Sequence, residues 1–410
     1  MLKLLDSLLP ANAVLVPRGS SVIRVSDLKE AHLEIPWSSE RVEALGVLSN
    51  SILRHDQLRR DPAAVALGFW LRPANLRELK LGFPAELGAV RVPAGIVFHV
   101  TPANVDTMFM YSWALSFIAG NSNIVRLSSR ISPLMNTFLG LLANLFATHE
   151  SATAGNWFIS YGHDDQVTAA FSSFCDLRIV WGGDETVRRI RAIPLNAHAA
   201  ERAFASKRSI SVLRTAAYLA ADEVVRNKLA DAMATDVIPF AQMACSSPHQ
   251  VFWIGKVEDA AEAIVDFHQR LDCAICRRGA NQEISHAVRR FNAAFALAAS
   301  GQAAKVEFSA RATSVVAASP EKSEQEIPCG AGLLLNASCT TWEEVRQLLR
   351  AEHQTVTHFG FTTGELQDMA WTAGIRGVDR LVPVGRALDF TPIWDGFSLW
   401  TDLTRSVVIR

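Results

Sequence analysis

Short runs of β-branched residues alternate with helical patterns through the middle of the chain. Residues 92–100 form such a run and predict a buried strand, and an apolar helix follows it to about residue 119. The same alternation predicts strands at 123–127, 156–160 and 177–181 and helices at 135–148, 166–174 and 186–192. This alternation is typical of an α/β fold, in which a mostly parallel sheet carries helices on both faces.

Three short segments follow three of these predicted strands, at residues 102–104, 126–129 and 182–185. Parallel sheets bind their ligands at the carboxyl ends of the strands, so we expect the three segments to lie along one edge. Asn104 and Asp106 carry side chains that can accept hydrogen bonds from a helix start, and we expect them to cap the following helix.

A second block has the same character. It predicts strands at 209–213, 250–254, 314–319, 332–336 and 355–361, with helices at 220–234, 260–271 and 342–352. Residues 1–80 show helical spacing, and neither an internal repeat nor a low-complexity linker is evident. The chain of 410 residues therefore holds at least two α/β blocks.

Composition and charge exclude several classes of protein. Hydrophobic residues make up 49% of the chain, and 40 Lys and Arg balance 41 Asp and Glu, which argues against a nucleic-acid or anionic-membrane protein. The stretch at 96–120 contains His99 and Asp106, so we do not expect it to span a membrane. Asp6 interrupts the apolar N-terminus, which argues against a signal peptide. Six scattered cysteines favour a cytoplasmic location over a disulfide framework.

Cys245 is the cysteine whose local sequence suggests chemistry. It lies between an apolar helix and the strand that begins at Gln250, where backbone N–H groups can stabilise a thiolate. Spacing alone leaves open the alternative that Cys245 is a small buried hydrophobic residue. Cys273 and Cys276 form a C-x-x-C pair, but no second pair stands at zinc spacing, so we expect no metal site.

Two features at the expected sheet edge are weak signals for a phosphorylated cofactor. Gly182 and Gly183 follow a strand without the G-x-G-x-x-G pattern, so they serve either a cofactor or only a tight turn. Arg126 ends a strand at the same edge, and its planar guanidinium suits a phosphate group. The alternative for Arg126 is a solvated charge at a strand end.

Several motifs in order resemble the aldehyde dehydrogenase superfamily and, more closely, the acyl-CoA reductase family of the bacterial bioluminescence fatty-acid reductase. They are VPAGIVFHVTPANV (92–105), AGNSNIVRLSSR (119–130), IVWGGDETVRRIRAIPL (179–195), CSSPHQ (245–250) and GVDRLVPVGRALDFTPIWDG (377–396). The resemblance covers the chain from about residue 85 onward. It implies an aldehyde-dehydrogenase-like fold of two doubly wound αβα domains, with the active site in the cleft between them and a small β element for oligomerisation.

The resemblance also implies domain boundaries. N-terminal helices and a dinucleotide-binding domain are expected at 1–235, and a catalytic domain that carries Cys245 is expected at 236–390. Residues 391–410 would form a C-terminal tail whose strand pairs across a subunit interface. A homo-oligomer is therefore expected.

Catalytic roles follow from the resemblance residue by residue. Cys245 matches the acyl-accepting nucleophile, and Asn104 matches the asparagine whose amide helps to form the oxyanion hole. His249 follows the nucleophile by four residues and is either a proton carrier or a structural histidine.

Cofactor-binding residues are implied in the same way. Arg126, Ser128 and Ser129 fall in the segment that contacts the cofactor ribose, and Ser129 stands where many relatives have a glutamate that would repel a 2′-phosphate. NADPH is therefore expected rather than NADH. Gly182 and Gly183 would lie near the pyrophosphate, and Glu326 matches the glutamate that holds the nicotinamide ribose.

Phe204 departs from the superfamily pattern because it stands where the general-base glutamate is expected. Without a carboxylate to activate water, a thioester intermediate is hydrolysed slowly. The resemblance therefore implies NADPH-dependent reduction of an acyl-CoA or acyl-carrier protein to an aldehyde, with a possible acyl-donating partner protein. Two alternatives stay open, a CoA-acylating aldehyde dehydrogenase that runs in the oxidative direction and an acyl-binding partner that has lost turnover.

Overall fold

The computed structural model describes residues 13–16, 28–102, 104–279, 284–324, 329–375 and 377–410. The chain divides into two compact units. Unit 1 comprises residues 1–206 together with 390–410, and unit 2 comprises residues 207–389. Each unit is built on its own sheet.

The described strands are β1 (Val14–Val16), β2 (Ala89–Pro93), β3 (Ile96–Val100), β4 (Ser122–Leu127), β5 (Asn156–Ser160), β6 (Leu177–Trp181), β7 (Ala200–Phe204), β8 (Arg208–Arg214), β9 (Pro248–Ile254), β10 (Ala303–Phe308), β11 (Thr313–Ala317), β12 (Leu333–Cys339), β13 (His353–Phe359), β14 (Arg380–Pro383), β15 (Ile393–Trp394), β16 (Phe397–Ser398) and β17 (Thr404–Val408).

The described α-helices are α1 (Ser39–Arg54), α2 (Pro62–Trp70), α3 (Pro73–Leu81), α4 (Met108–Ile118), α5 (Pro133–Thr148), α6 (Glu150–Thr153), α7 (Asp165–Ser172), α8 (Asp184–Arg191), α9 (Thr215–Ala220), α10 (Glu223–Val237), α11 (Val257–Arg277), α12 (Ile284–Ala299), α13 (Trp342–Leu348), α14 (Thr363–Gly374) and α15 (Leu399–Asp402).

Unit 1 contains a six-stranded sheet in the order β1-β5-β4-β3-β6-β7. Strand β1 pairs antiparallel with β5, and the other neighbouring strands pair in parallel. The parallel α/β arrangement expected from the alternating pattern is therefore confirmed. Its strands β3, β4 and β6 are fully buried, as is typical of parallel strands that are covered on both faces.

The run at 92–100 is two strands rather than the single predicted strand. Gly95 separates them with a φ of +134°, and a Cβ built on it would lie 2.0 Å from the Asp176 Oδ2 atom. That carboxylate accepts a hydrogen bond from the Ile96 N–H at 2.7 Å. This close approach to Asp176 requires glycine at position 95. Strand β2 is not part of the six-stranded sheet and pairs antiparallel with β17.

The apolar stretch at 96–120 is a strand followed by an internal helix. All eleven residues of α4 are buried, so this helix is apolar around its whole circumference. His99 is buried beside it, where its ring nitrogens contact Ser112 Oγ at 2.8 Å and Asn123 Oδ1 at 3.0 Å. The described helices include none that is long and apolar enough to cross a membrane.

Unit 2 contains a seven-stranded sheet in the order β10-β11-β12-β9-β8-β13-β14. Strand β10 is antiparallel to β11, and the remaining neighbours are parallel. Successive residues of β9 enter two different apolar cores, because Val251 and Trp253 face one core and Phe252 and Ile254 face the other. Helices therefore cover both faces of this sheet.

The division between the units lies after Ser206, whereas the expected boundary followed residue 235. The reason is the pairing of β8, which lies between β9 and β13 in the sheet of unit 2. Helices α9 and α10 follow β8 and belong to the same unit. At the other end, the segment from Phe390 returns to unit 1, close to the expected start of the tail at residue 391.

Candidate functional site

The three segments expected at one sheet edge follow strands of unit 1, and Ala103 of the first segment lies outside the described residues. They follow β3, β4 and β6, which are neighbours and run in parallel, so their carboxyl ends are on the same side. Thr101 links the first two segments, since its N–H and hydroxyl donate to the Arg126 carbonyl at 3.2 and 2.9 Å. The predicted common edge is therefore confirmed for the described residues of the three segments.

Arg126 is buried at the end of β4, with 8% of its surface exposed. Its Nη2 donates to the Gly162 carbonyl at 3.2 Å, and the guanidinium lies 4.9 Å from the centre of the Tyr161 ring. Burial lowers the pKa of the guanidinium. Its Nε is buried and makes no hydrogen bond to the described residues, so the side chain retains one unused donor.

Ser128 and Ser129 continue from β4 toward the surface. Ser128 Oγ accepts a hydrogen bond from the Arg130 N–H at 3.2 Å, and its carbonyl accepts one from Ser160 Oγ at 3.2 Å. Ser129 is exposed. The segment therefore presents hydroxyl groups at the edge where Arg126 ends.

Gly182 and Gly183 form the turn between β6 and α8. The Gly182 N–H donates to the Phe204 carbonyl at 3.1 Å, and Gly183 is the N-cap residue of α8. A Cβ on Gly182 would meet the Thr186 side chain at 3.0 Å, whereas one on Gly183 would have its nearest neighbour, Ser206 Oγ, at 3.7 Å. A side chain at Gly182 would therefore crowd Thr186, whereas one at Gly183 would meet only an ordinary van der Waals contact.

Phe204 ends β7 next to this turn, and 3% of its surface is exposed. Its ring stacks on Trp181 with centroids 3.9 Å apart and planes inclined by 14°. Trp181 in turn contacts Tyr111 and Trp394, which are in the same unit. An apolar aromatic cluster therefore occupies the position at which the resemblance would place a carboxylate.

Asn104 lies in the exposed turn between β3 and α4. Helix α4 begins at Met108 with Thr107 as its N-cap, so the expectation that Asn104 and Asp106 cap this helix is wrong. Asp106 instead accepts a hydrogen bond from Ser132 Oγ at 2.9 Å.

Cys245 belongs to unit 2 and lies three residues before β9. The thiol residue is partly exposed, and its carbonyl accepts a hydrogen bond from Ser209 Oγ at 2.8 Å. Ser209 Oγ also accepts the Thr355 N–H at 3.2 Å. Ser209 therefore connects the Cys245 loop to the starts of two neighbouring strands.

The segment just before Cys245 has an unusual backbone. Phe240, Ala241 and Gln242 have φ values of 54°, 51° and 64°, in the left-handed region that non-glycine residues rarely adopt. The buried Gln242 amide supports this turn, because Nε2 donates to the Pro248 and Leu333 carbonyls at 2.7 and 3.1 Å. Its Oε1 accepts the Gly332 N–H at 2.9 Å.

A second loop fixes the same turn from the side of β12. The Ala331 N–H donates to the Ala241 carbonyl at 2.7 Å. A Cβ on Gly330 would lie 2.5 Å from that carbonyl oxygen. The position of Cys245 therefore depends on the close fit of two loops that are far apart in sequence.

The other cysteines have environments that differ from that of Cys245. Cys175, Cys329 and Cys339 are buried, and burial raises the pKa of the Cys175 and Cys339 thiols to about 12. Cys273 and Cys276 are exposed on α11. The described residues contain no group of three side chains that could hold a metal ion, and Glu326 lies outside the described residues.

His249 is the second residue of β9. Burial lowers its pKa to about 4, against a smaller opposing effect of the Gln242 backbone. The imidazole is therefore neutral at physiological pH. Whether it carries protons or is structural stays a prediction.

Sequence reasoning missed Gln242 and Ser209, which hold the Cys245 loop. The sequence gives only a weak indication of either role. Gln242 is a polar residue three positions before the cysteine, and Ser209 opens a predicted strand. Their partners Leu333 and Thr355 are 91 and 146 residues away along the chain, so only the folded structure identifies them.

The sequence matches one protein family over most of its length. Residues 88–406 match the family model described as acyl-CoA reductase (LuxC). No curated protein sequence gives a significant match.

Three solved structures, two of them aldehyde dehydrogenases by name, are similar to this chain in fold. The P. syringae indole-3-acetaldehyde dehydrogenase AldA, a mutant in complex with NAD+ and IAA, has a TM-score of 0.64 at 12% identity over 90% of this chain and 82% of its own. A Mycobacterium tuberculosis aldehyde dehydrogenase complexed with NAD+ has a TM-score of 0.63 at 10% identity, over 91% and 86% of the two chains. PnpE from Pseudomonas sp. WBC-3 has a TM-score of 0.60 at 15% identity, over 90% and 84%.

Proposed function

This chain belongs to the acyl-CoA reductase (LuxC) family, and we propose that it reduces an acyl thioester to an aldehyde through an S-acyl intermediate on Cys245. The observation that carries the proposal is the loop around Cys245. It combines a partly exposed thiol with a left-handed turn held by the buried Gln242 amide. Strained backbone of this kind persists where the surrounding structure over-determines it, and it is concentrated at active sites.

Cysteine suits both halves of the proposed reaction. In the first half, the Cys245 thiolate attacks the acyl carbonyl, a new carbon–sulfur bond forms, and the CoA or carrier thiolate leaves and takes up a proton. In the second half, the carbon–sulfur bond to Cys245 breaks as the aldehyde departs, and the sulfur is regenerated as a thiolate. The Ser209 hydrogen bond to the Cys245 carbonyl supports the orientation of the nucleophile during both halves.

Asn104 is proposed to donate its side-chain amide to the negatively charged oxygen that develops on the acyl group. Its exposed position in the turn after β3, outside the cap of α4, supports this role. One donor of this kind stabilises a transition state by about 3 kcal/mol.

The carboxyl edge of unit 1 fits a phosphorylated dinucleotide. Arg126 Nε is a buried donor without a hydrogen bond to the described residues, Gly183 is the N-cap residue of α8, and Ser128 and Ser129 present hydroxyl groups. We propose NADPH as the cofactor, since the exposed Ser129 would not repel a 2′-phosphate. When bound, NADPH supplies the hydride that converts the acyl group to the aldehyde level. Two of the three similar structures described above are complexes with NAD+.

Reduction is favoured over hydrolysis by the environment of Phe204. Its buried ring stacks on Trp181, and neither side chain can activate a water molecule. An acyl group on Cys245 is therefore expected to persist until it is reduced.

The test is intact-protein mass spectrometry of the full chain after incubation with acyl-CoAs of different chain lengths. The unmodified protein should gain one acyl mass, and NADPH should remove that mass while an equivalent amount of aldehyde appears. Cys245→Ala should gain none. Cys273→Ala is the matched control, because it removes an exposed thiol on α11 and should acylate normally.

Two outcomes would contradict the proposal. An adduct that survives in Cys245→Ala would assign the nucleophile elsewhere. Loss of the acyl mass without NADPH, with a free acid as the product, would show hydrolysis rather than reduction. If acyl-CoAs give no adduct, the same measurement with acyl-carrier proteins decides whether the chain accepts any thioester, and no adduct there would overturn the proposal.

A further inference from the structure

Helix α12 carries an exposed apolar stripe along one side. Ile284, Val288, Phe291 and Phe295 are 85%, 52%, 45% and 59% exposed. Their spacing of four, three and four residues places them in one line on the helix. The adjacent side of the helix, with Ala294 and Leu297, is buried, so α12 has a second apolar face beyond the one that packs on its own unit.

The stripe continues onto the edge of the sheet through Phe308. This residue ends β10, is 39% exposed and stacks on Phe291 with ring centroids 4.2 Å apart and planes inclined by 7°. Phe295 lies 5.8 Å from the same ring. We call the stripe, Phe308 and the outer side of β10 the edge surface.

Strand β10 is the outermost described strand on its side of the seven-stranded sheet. Along this antiparallel ladder the Ser309 N–H donates to the Ala312 carbonyl at 3.0 Å. Inward and outward residues alternate in such a ladder, so Lys305 and Glu307 direct their backbone groups toward β11, and Val306 directs its N–H and C=O outward. An outward row beside an exposed aromatic patch is a template for another strand.

We propose that the edge surface binds a second copy of this chain, with the two β10 strands paired antiparallel about a two-fold axis at Val306. In this register the N–H and C=O of each Val306 bond to those of the other copy. Lys305 of one copy then lies directly opposite Glu307 of the other, and the same pair occurs twice.

Charge selects this register over its neighbours. Lys305 and Glu307 lie on the same face of β10 and form an ion pair of 2.5 Å within one chain. A shift of the two-fold axis to residue 305 would oppose two lysines, and a shift to residue 307 would oppose two glutamates. Like charges directly opposite each other are destabilising, so the register centred on Val306 is favoured over these two adjacent registers, and it also places Lys305 opposite Glu307.

The apolar stripes support the same arrangement. Residues that lie opposite each other in an antiparallel pair point to the same face, so both copies of α12 would lie on one face of a continuous sheet. Helices packed on a sheet are separated by about 10 Å, the width of about two strands. The stripes of the two helices would therefore face each other across the axis and bury Phe291 and Phe295.

Charge reversal with rescue tests this proposal on the full chain by sedimentation analysis. Lys305→Glu and Glu307→Lys should each raise the dissociation constant of the dimer at least tenfold. The double variant Lys305→Glu/Glu307→Lys restores opposite charges and should return the constant to within about twofold of the original. Because the double variant also restores the ion pair within one chain, the urea midpoint of each variant is measured as well, and it should be the same in the single and double variants.

Two further measurements use the same surface. Phe291→Ser should weaken the dimer, whereas Trp371→Ser, which changes an aromatic residue that is 78% exposed on α14, should not. In a background without Cys273 and Cys276, an equimolar mixture of Lys305→Cys and Glu307→Cys chains should form a disulfide-linked dimer, and neither variant alone should.

The proposal is overturned if the single reversals leave the association unchanged, if the double variant does not restore it, or if the mixed cysteine variants do not cross-link. Association that depends on Phe291 but not on either charge would also overturn the β10 pairing and would assign the stripe to a different occupant.

Discussion

Asp236 shows how burial changes the pKa of a single carboxyl group in this protein. The residue is fully buried on α10, and its two carboxyl oxygens accept the Gly385 and Ala387 N–H groups at 2.6 and 2.9 Å. Those bonds favour the charged form, but burial outweighs them and raises the pKa of Asp236 to about 7. The folded protein therefore holds a proton on this carboxyl at pH values where the unfolded chain has released it.

This difference predicts a pH-dependent stability. Between about pH 4 and pH 7 the folded state binds more protons than the unfolded state, so the contribution of Asp236 to the free energy of unfolding falls as the pH rises, by roughly 4 kcal/mol in total. Asp236→Asn should remove this dependence. Urea denaturation at pH 5 and pH 8 measures it, and equal pH dependence in both proteins would contradict the prediction.

A second single-residue prediction concerns the cofactor. Ser129→Glu introduces a carboxylate at an exposed position near Arg126. We expect repulsion of the 2′-phosphate to weaken NADPH binding by about tenfold, equivalent to about 1.4 kcal/mol, while NADH binding changes little. Fluorescence titration with both nucleotides measures this difference, and Ser300→Glu, at an exposed serine of unit 2, is the control. An equal loss of both affinities would argue against the assignment.

At the scale of elements, the turn before Cys245 is held by contacts with a second loop rather than by its own sequence. Three consecutive left-handed residues cost about 1–2 kcal/mol each, and the Gln242 and Ala331 hydrogen bonds offset that cost. The two loops fit so closely at Gly330 that a methyl group added there would clash with the carbonyl oxygen of Ala241. The reactive cysteine is therefore sensitive to residues that are remote in sequence.

Gly330→Ala tests this sensitivity. The substitution should displace the turn, destabilise the protein by about 1–3 kcal/mol beyond backbone strain and slow acylation of Cys245. Gly301→Ala is the matched control, because Gly301 also has a positive φ but a methyl group added there would have no atom within 4 Å. The rate of single-turnover acylation and the urea midpoint are measured for both variants. Equal effects of the two substitutions would contradict the role of the close fit.

At the scale of the whole molecule, the chain leaves unit 1 for unit 2 and then returns. The returning segment stacks Phe390 on Tyr111 at 5.3 Å, and Arg202 binds Asp402 through hydrogen bonds of 2.7 and 2.8 Å. Strand β17 then pairs with β2 over five residues. Unit 1 is therefore completed by residues from both ends of the chain.

Removal of residues 404–410 should expose the N–H groups of β2 that pair with β17. We expect faster hydrogen exchange at residues 89–92, because Pro93 has no N–H, and unchanged exchange at β9 in unit 2. Exchange followed by mass spectrometry compares the truncated and full chains. Unaltered exchange at residues 89–92 would contradict the prediction.

Local sequence determined the elements and the edge at which the first cluster lies. The β-branched runs and helical spacings predicted most strands and helices, because the spacing of apolar residues along a short segment indicates both its secondary structure and its buried side. Those runs also predicted that residues 102–104, 126–129 and 182–185 share an edge. The resemblance identified the family and pointed to Cys245.

Tertiary structure decided what depends on distant partners. The boundary after Ser206 follows from the pairing of β8, the cap of α4 from the backbone path at Thr107, and the left-handed turn at Gln242 from contacts with Gly332 and Leu333. The exposed stripe on α12 could not be predicted from the sequence either, because an apolar pattern with helical spacing does not show which side of the helix the rest of the fold covers. These features depend on which segments meet, and pairing across tens of residues is fixed by the packing of the whole chain rather than by any one window of it.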